Sequence, residues 1–531
     1  SELERAPRTW RIDLEPLDRA ELAELLEGIR GAPAPAALVD RLFMRSEGNP
    51  LYTEELVAAG SDGRGPLPDS LRDALMLRID QLPASAQHAL RVLAVGRRVD
   101  QAALADAAGL DLAETSEALR AAVGAHLVVA DDEGRLGFRH ALLAEVVEED
   151  LLPGERVEVH RALAAALEQR LEQGSALSRP AAVAHHWYAA GDAPAAFAAS
   201  IRAAKAAEHA HAYGEAATLL ERALELWERL PDAAATAGCD HATLLARAAE
   251  ARRLYHHPER AATMLEAALA EVDEQADPHR AVDLLARLAQ VQWQRNCTEQ
   301  ALATGEHGLG LLPSGDESRE HARLLAWWAS ARMLQGRYRE SSRTARRALE
   351  LAERANSGAA EVRALNALGI SLAATGHTEE GLAALRRGLE RSKERGNLYE
   401  IATAHVNLSD ALNLDGQTAE ALAVIEDGAR EIEGSGRAAT WLLTAAAELA
   451  FDAGDWALAA ARLPDQERWY EGTTLLNVEL RRAELALGRG EEGEAERALG
   501  VVAAEVEGST EPQFLGPLGV LLAEHHLRRG E

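Results

Sequence analysis

The chain is poor in most of what would mark it as an enzyme, a secreted module or a membrane protein. Only two cysteines, Cys239 and Cys297, stand among its 531 residues. That excludes a disulfide framework and fits a reducing, cytoplasmic setting, with both thiols read as small core residues. Aromatic residues make up 4% of the chain; the 47% apolar fraction is mostly Ala and Leu, and β-branched runs are scarce. Such a composition favours helices. No apolar run approaches the roughly 20 residues that span a bilayer, and Ser1-Glu2-Leu3-Glu4-Arg5 offers no apolar signal core. Positive charge is outnumbered, 56 Lys and Arg against 86 Asp and Glu, for a net charge of −30. A surface of that sign repels phosphate backbones and anionic lipid, so no membrane partner and no direct DNA contact is expected.

Catalytic patterns are missing as well. There is no Gly-x4-Gly-Lys-Ser/Thr phosphate loop, no His-Glu-x-x-His and no Gly-x-Ser-x-Gly elbow. Gly488-Arg489-Gly490-Glu491-Glu492-Gly493 matches a dinucleotide fingerprint in letters only. It follows a helical stretch, and its glutamates would repel a pyrophosphate, so it reads as a turn between helices. Histidine pairs occur at His185-His186, His256-His257 and His525-His526. Neighbours on a helix point about 100° apart, and no metal site is expected from them. Acidic runs such as Glu148-Glu149-Asp150 read as solvated surface. No catalytic residue is assigned.

What is present is a repeat. Gly336, Gly376 and Gly416 recur every forty residues, with His256 and Asn296 in the same phase before them. Seven residues before each turn stand Ala249, Ala289, Ala329, Gly369 and Ser409; five after it, Ala261, Ala301, Ser341, Gly381 and Ala421; twelve after it, Ala268, Gly308, Ala348, Gly388 and Gly428. Helices approach closely only where side chains are small, so a fixed pattern of small sites predicts helices stacked identically. With the turn at position 15, small residues at 8, 20 and 27 resemble the tetratricopeptide pattern, with helices lengthened from its repeat of about 34 residues. Looser copies surround Gly191, Gly454 and Gly490. In such arrays the first helix of each hairpin lines the groove at positions 2, 5, 9 and 12. Those positions hold Arg253, Trp293, Arg323, Arg363, Asn366, Asp410 and Asn413, together with Thr243, Glu250, Asp283, Gln290 and Met333. Arginine and asparagine suit a carboxylate or a backbone, and Trp293 suits a ring. By phase, Trp328 belongs to the core and Trp327 is the more exposed.

Ahead of the array, a short extended piece at 9–14 and small helices lead to the flexible junction 60–65. Three helices then precede His126-Leu127-Val128-Val129-Ala130, an Asp/Gly turn and Arg135-Leu136-Gly137-Phe138. That order outlines a winged helix. Its recognition region, residues 101–108, lacks the Arg and Lys that groove binding requires. Arg45-Ser46-Glu47-Gly48-Asn49-Pro50-Leu51-Tyr52 resembles the lid motif of the signal-transducing STAND ATPases, specifically the large LuxR-type regulators related to the maltose-regulon activator. Phe138-Arg139-His140-Ala141-Leu142-Leu143, with 151–156 and His160, resembles the close of that family's winged helix; 11–17 and 67–72 also fit. The resemblance implies that Gly48, Asn49 and Pro50 face an adenine and that His140 reaches the β-phosphate of ADP. ADP or ATP with Mg is then expected in the intact protein, and none stably on this chain alone. The family's phosphate loop and Walker B acid are expected before residue 1, and its DNA-binding helix-turn-helix after residue 531, so the chain itself is not expected to be an enzyme.

The expected fold is mainly all-α: 1–65 the end of the nucleotide-binding domain with its lid, 66–152 a winged helix, 153–240 a helical linker with atypical repeats, and 241–531 a tetratricopeptide superhelix cut within a repeat. The expected function is the sensing part of a STAND-type transcription regulator. Its partners would be a small-molecule or protein effector on the solenoid, the absent ATPase core and, in the intact protein, further copies of itself. DNA would be bound only through a domain outside the chain. A tetratricopeptide scaffold without nucleotide, and the regulatory tail of a kinase or nucleotide cyclase, are the alternatives.

Overall fold

The computed structural model describes residues 16–58, 69–174, 179–255, 257–313, 315–432, 437–464, 470–507, 509 and 511–530. The extended piece at 9–14, most of segment 11–17, the junction 60–65, residues 67–68 and His256 lie outside them. The chain forms two compact units, Ser1–Ala203 and Ala204–Glu531.

The first unit opens with helix Arg19–Arg30. Asp18 and Glu21 cap it reciprocally, and Leu22 and Leu26 are fully buried. This capping box satisfies two backbone N–H groups that a helix start leaves free. Helices Ala36–Ser46 and Pro50–Ala58 follow. Between them the chain turns at Gly48, whose φ is +74°; a Cβ there would lie 2.1 Å from the Leu17 carbonyl oxygen, so only glycine fits. Asn49 then starts the next helix, its Oδ1 accepting from the Tyr52 N–H at 3.3 Å.

Helices Asp69–Asp80, Ala84–Gly96, Gln101–Ala108 and Leu112–Gly124 come next, with a three-stranded antiparallel sheet: β1 (Arg98–Val99), β2 (Val128–Ala130) and β3 (Leu136–Phe138), in the order β1-β3-β2. β1 is too short to show in the sequence pattern. The hairpin β2–β3 is held by Asp131, whose carboxylate accepts from the backbone N–H of Glu133 at 3.1 Å and Arg135 at 2.8 Å. Leu90, Leu93, Leu104, Leu127, Leu142 and Leu143 form its core. Helices Ala141–Asp150, Pro153–Glu172 and Pro180–Ala189 follow, and the unit ends within helix Ala193–His209.

The second unit is a tetratricopeptide-type solenoid of helical hairpins. Four successive pairs are Pro278–Gln294 with Thr298–Leu311, Arg319–Leu334 with Tyr338–Arg354, Gly358–Ala374 with Thr378–Arg395, and Leu398–Leu414 with Thr418–Glu431. Gly336, Gly376 and Gly416 turn with φ of +73°, +87° and +81°, and Asn296 takes the same left-handed conformation at +62°. The forty-residue period comes from helices of 17 and 18 residues, such as Gly358–Ala374 and Thr378–Arg395.

The small sites are contacts between paired helices. A Cβ on Gly369 would lie 2.4 Å from Leu385 Cγ; one on Gly381, 2.6 Å from the Gly369 carbonyl oxygen; one on Gly428, 2.6 Å from the His405 ring. One pair of positions departs from its sequence phase. Trp327 is the buried indole, at 5% exposure, packed with Leu324 and Ala331. Trp328 is half-buried, under the Arg332 guanidinium at 4.4 Å. On the neighbouring helix, a Cβ on Gly305 would sit 2.4 Å from the Trp327 ring and 3.1 Å from the Trp328 ring, so the missing side chain makes room for both indoles, most closely for Trp327.

The superhelix also returns on itself. Asn296 donates through Nδ2 to the Glu505 carbonyl at 3.1 Å and accepts from Ser509 Oγ at 2.9 Å; Thr298 Oγ1 donates to Glu511 at 3.0 Å. Gly472, at φ +56°, lies so close that a Cβ would meet the Gln294 carbonyl oxygen at 2.0 Å.

Candidate effector site

The concave side of the second unit, behind this closure, holds a cavity of about 550 Å³, within the range of small-molecule sites. Arg253, Trp293, Arg323, Arg363 and Asn366 line it, together with Glu250, Gln290 and Met333 from the same set of groove positions. The superhelical twist determines which positions meet. The earlier repeats contribute position 12 (Arg253, Trp293), and the later ones positions 2 and 5 (Arg323, Arg363, Asn366). Asp410 and Asn413 are not among the lining residues. Asn413 bonds Asp452 at 3.2 Å and Thr418 at 2.8 Å. The Asp410 side chain is open to water.

Most wall charges are paired. Arg253 makes two bonds to Glu250, at 2.8 and 2.7 Å, and its guanidinium lies 4.7 Å over the Tyr399 ring. Burial disfavours the Glu250 carboxylate, but Arg253 outweighs it and holds the group at about 2. Asp283 bonds both Arg287, at 2.9 Å, and Arg323. Arg395 pairs with Glu400 at 2.8 Å. Arg363 differs: its hydrogen bond goes to neutral Gln290 at 3.0 Å. Burial, then the neighbouring Arg253 and Arg323 cations, lowers its pKa.

Three further groups, each nearly inaccessible, lack a hydrogen-bond partner. They are Arg253 Nη1, Gln294 Oε1 and Asn366 Oδ1 on residues 4%, 1% and 3% exposed. Gln294 and Tyr399 were missed by the groove pattern. Gln294 lies just past position 12, turned inward by the closure, and its Nε2 donates to Tyr399 Oη at 3.3 Å. Trp441 stands beside Tyr399, ring centres 5.8 Å apart.

In the first unit, the two segments singled out for a nucleotide meet. The link is Glu47, another residue the sequence reading did not assign. Its carboxylate lies 3.2 Å from His140 Nδ1 and accepts from the Ala141 N–H at 3.2 Å. Tyr52 stands edge-on to the His140 ring at 5.9 Å. Gly48 is buried, Asn49 half-buried, and Pro50 exposed.

His160, His185 and His186 also gather, with ring centres 5.1 to 5.8 Å apart and candidate ligand nitrogens within 4.8 Å of one another. The expectation that adjacent histidines point apart fails for this pair, because His160 on helix Pro153–Glu172 draws near both. His160 Nδ1 and His186 Nδ1 are 2.9 Å apart, so one carries the proton and the other accepts it. Burial, then the neighbouring histidines, lowers their pKa values to about 4 and about 3. Gly490, at φ +75°, ends helix Gly472–Arg489 before helix Glu492–Glu505, so the glycine-rich match is an interhelical turn.

No protein-family model and no curated protein matches the chain. Among solved structures it is similar to a STAND protein with a tetratricopeptide repeat sensor from Pyrococcus horikoshii, at 14% identity over 96% of this chain and 74% of that one, with a TM-score of 0.39. It is similar also to a Rap protein complexed with competence and sporulation factor, at 15% identity, 63% and 92% coverage and a TM-score of 0.43. A third is NprR in complex with its cognate peptide NprX, at 12% identity, 55% and 86% coverage and a TM-score of 0.37. At scores this low, the type of the array rests on its own turns and helix contacts.

Proposed function

We propose that this chain is the lid-and-sensor part of a STAND-type, nucleotide-dependent regulator that works in the cytoplasm, and that its effector binds in the cavity of the second unit. The cavity carries the sensor reading: charged and aromatic groups from separate repeats converge there, and several buried polar atoms remain unmatched. A purely structural wall would leave few of these.

The switch reading is supported by the Glu47–His140 contact, which joins the lid motif to the end of the β2–β3 segment. The strand order β1-β3-β2 with its helices is also that of a winged helix. These residues fit an adenine nucleotide: Pro50 offers an exposed rigid ring for a base to pack on, and His140 keeps Nε2 for an anionic oxygen. With Nδ1–H committed to Glu47, Nε2 donates only when the ring is protonated. Held by Gly48, Asn49, Pro50 and His140, ADP would supply an anion bridging lid and winged helix. Effector binding would then shift the balance between held and released states. Phosphoryl transfer, DNA binding and self-assembly are assigned to other parts of the intact regulator.

The test is the nucleotide content of the full gene product. Bound ADP is expected to co-purify, to be lost with His140→Ala and to be weakened with Glu47→Gln. Wild-type protein that never carries nucleotide overturns the switch and leaves the scaffold reading.

A further inference from the structure

We propose that the effector is a small anion: a carboxylate- or phosphate-bearing molecule with a flat ring and at least one N–H or O–H donor, whose charged head meets Arg363 and Arg253. The inference rests on the cavity being the effector site and adds the chemistry of what enters it.

Charge comes first. Six arginines line the cavity against two glutamates. Glu250 answers Arg253, Glu400 answers Arg395, and Asp283 answers both Arg287 and Arg323. Arg363 has only the neutral Gln290 amide, while Arg253 and Arg323 repel it. A cation in the wall, pressed by two others and with Glu400 acting on it only from beyond ion-pair distance, is what an anionic ligand would complete.

Hydrogen bonding narrows the class further. Arg253 Nη1 is a buried donor without an acceptor, and it lines the same space as Arg363. A carboxylate or phosphate presents several oxygens and can engage two guanidinium groups at once. Gln294 Oε1 and Asn366 Oδ1 are buried acceptors without donors. The orientation of the Asn366 amide is fixed by its other half, since Nδ2 donates to the Val362 carbonyl at 3.0 Å; Gln294 meets the Tyr399 hydroxyl, which can donate or accept. Flipping Asn366 would break that bond, so its missing partner is a donor, which the ligand must supply. Trp293, Trp327, Tyr399 and Trp441 provide the apolar faces for a ring. A cation would be repelled here, and a hydrocarbon would leave all three orphan atoms unmet.

The same reasoning gives Arg363 a signature that a structural residue would not have. If its charge serves a ligand, its removal relieves repulsion in the empty protein while abolishing anion binding. Two measurements test this on the full chain. Calorimetric titration with indole-3-acetate, phenyl phosphate and inorganic phosphate is compared with neutral indole-3-acetamide. At least one organic anion is expected to bind saturably and about tenfold or more tightly than the amide, the carboxylate and phosphate arms showing which head is preferred. Arg363→Met should erase that preference and raise the Tm of the unliganded protein, whereas Arg363→Lys should keep part of the preference.

Failure of both organic anions to bind more tightly than the amide, no saturable binding of any anion, or a lower Tm for unliganded Arg363→Met would each overturn the proposal. Amide binding that Trp293→Ala abolishes would sink the anion class yet keep the cavity as effector site. Binding of every probe unchanged by Trp293→Ala would remove both.

Discussion

Two sites make stability depend on pH in opposite senses. His160 and His186 are held neutral in the fold, near 4 and 3, against about 6.5 when unfolded. Between those values the unfolded chain binds more protons, so stability falls as pH drops from about 6.5 towards 4. Between pH 6.5 and 5, His186→Gln is expected to lose less Tm than the wild type; the same slope in both proteins would contradict it. Glu484 behaves the other way. Burial, with Glu448 and Asp452 nearby, pushes its carboxyl up to about 7 although Arg481 pairs with it. The folded state holds that proton longer, so its contribution is lost as pH rises from about 4.5 through 7. Glu484→Gln should therefore raise the Tm more at pH 8 than at pH 5. An equal effect at both would show that no such repulsion exists.

Among the elements, what was legible in the sequence was what depends on neighbours. The turn glycines and the sites at positions 8, 20 and 27 read correctly because Gly369, Gly381 and Leu385 meet within one hairpin. The swap of Trp327 and Trp328 was illegible, because it depends on packing against another helix, where Gly305 faces both rings. The groove residues split for a related reason: superhelical twist, not phase, determines whether position 12 of one repeat faces position 2 of another. It brings Arg253 to Arg363 and leaves Asp410 aside. The closure is the least legible of all, since Asn296 and Ser509 are 213 residues apart. Gly472 is its most exposed dependency, with a positive φ and a carbonyl 2.0 Å from where a Cβ would be. Gly472→Ala should cost about 1–3 kcal/mol and enlarge the radius of gyration in small-angle scattering. Gly493→Ala, in a helix with open space around it, should be neutral or slightly stabilising. Unchanged scattering for Gly472→Ala would show that the closure does not depend on this contact.

For the whole molecule, the net charge of −30 contrasts with a cavity wall rich in arginine. An acidic exterior discourages anions in general, so one that binds must be recognised by the cavity itself. The proposed switch assigns sensing to that cavity and nucleotide holding to Glu47, His140 and the Gly48-Asn49-Pro50 turn. Its central claim is that the cavity exists to be filled. Mass spectrometry of small molecules released on denaturing the protein, purified from its native host, tests this most directly. The expected result is an acidic compound enriched with wild type and absent with both Arg363→Met and Trp293→Ala. Identical small-molecule profiles from all three proteins would contradict it.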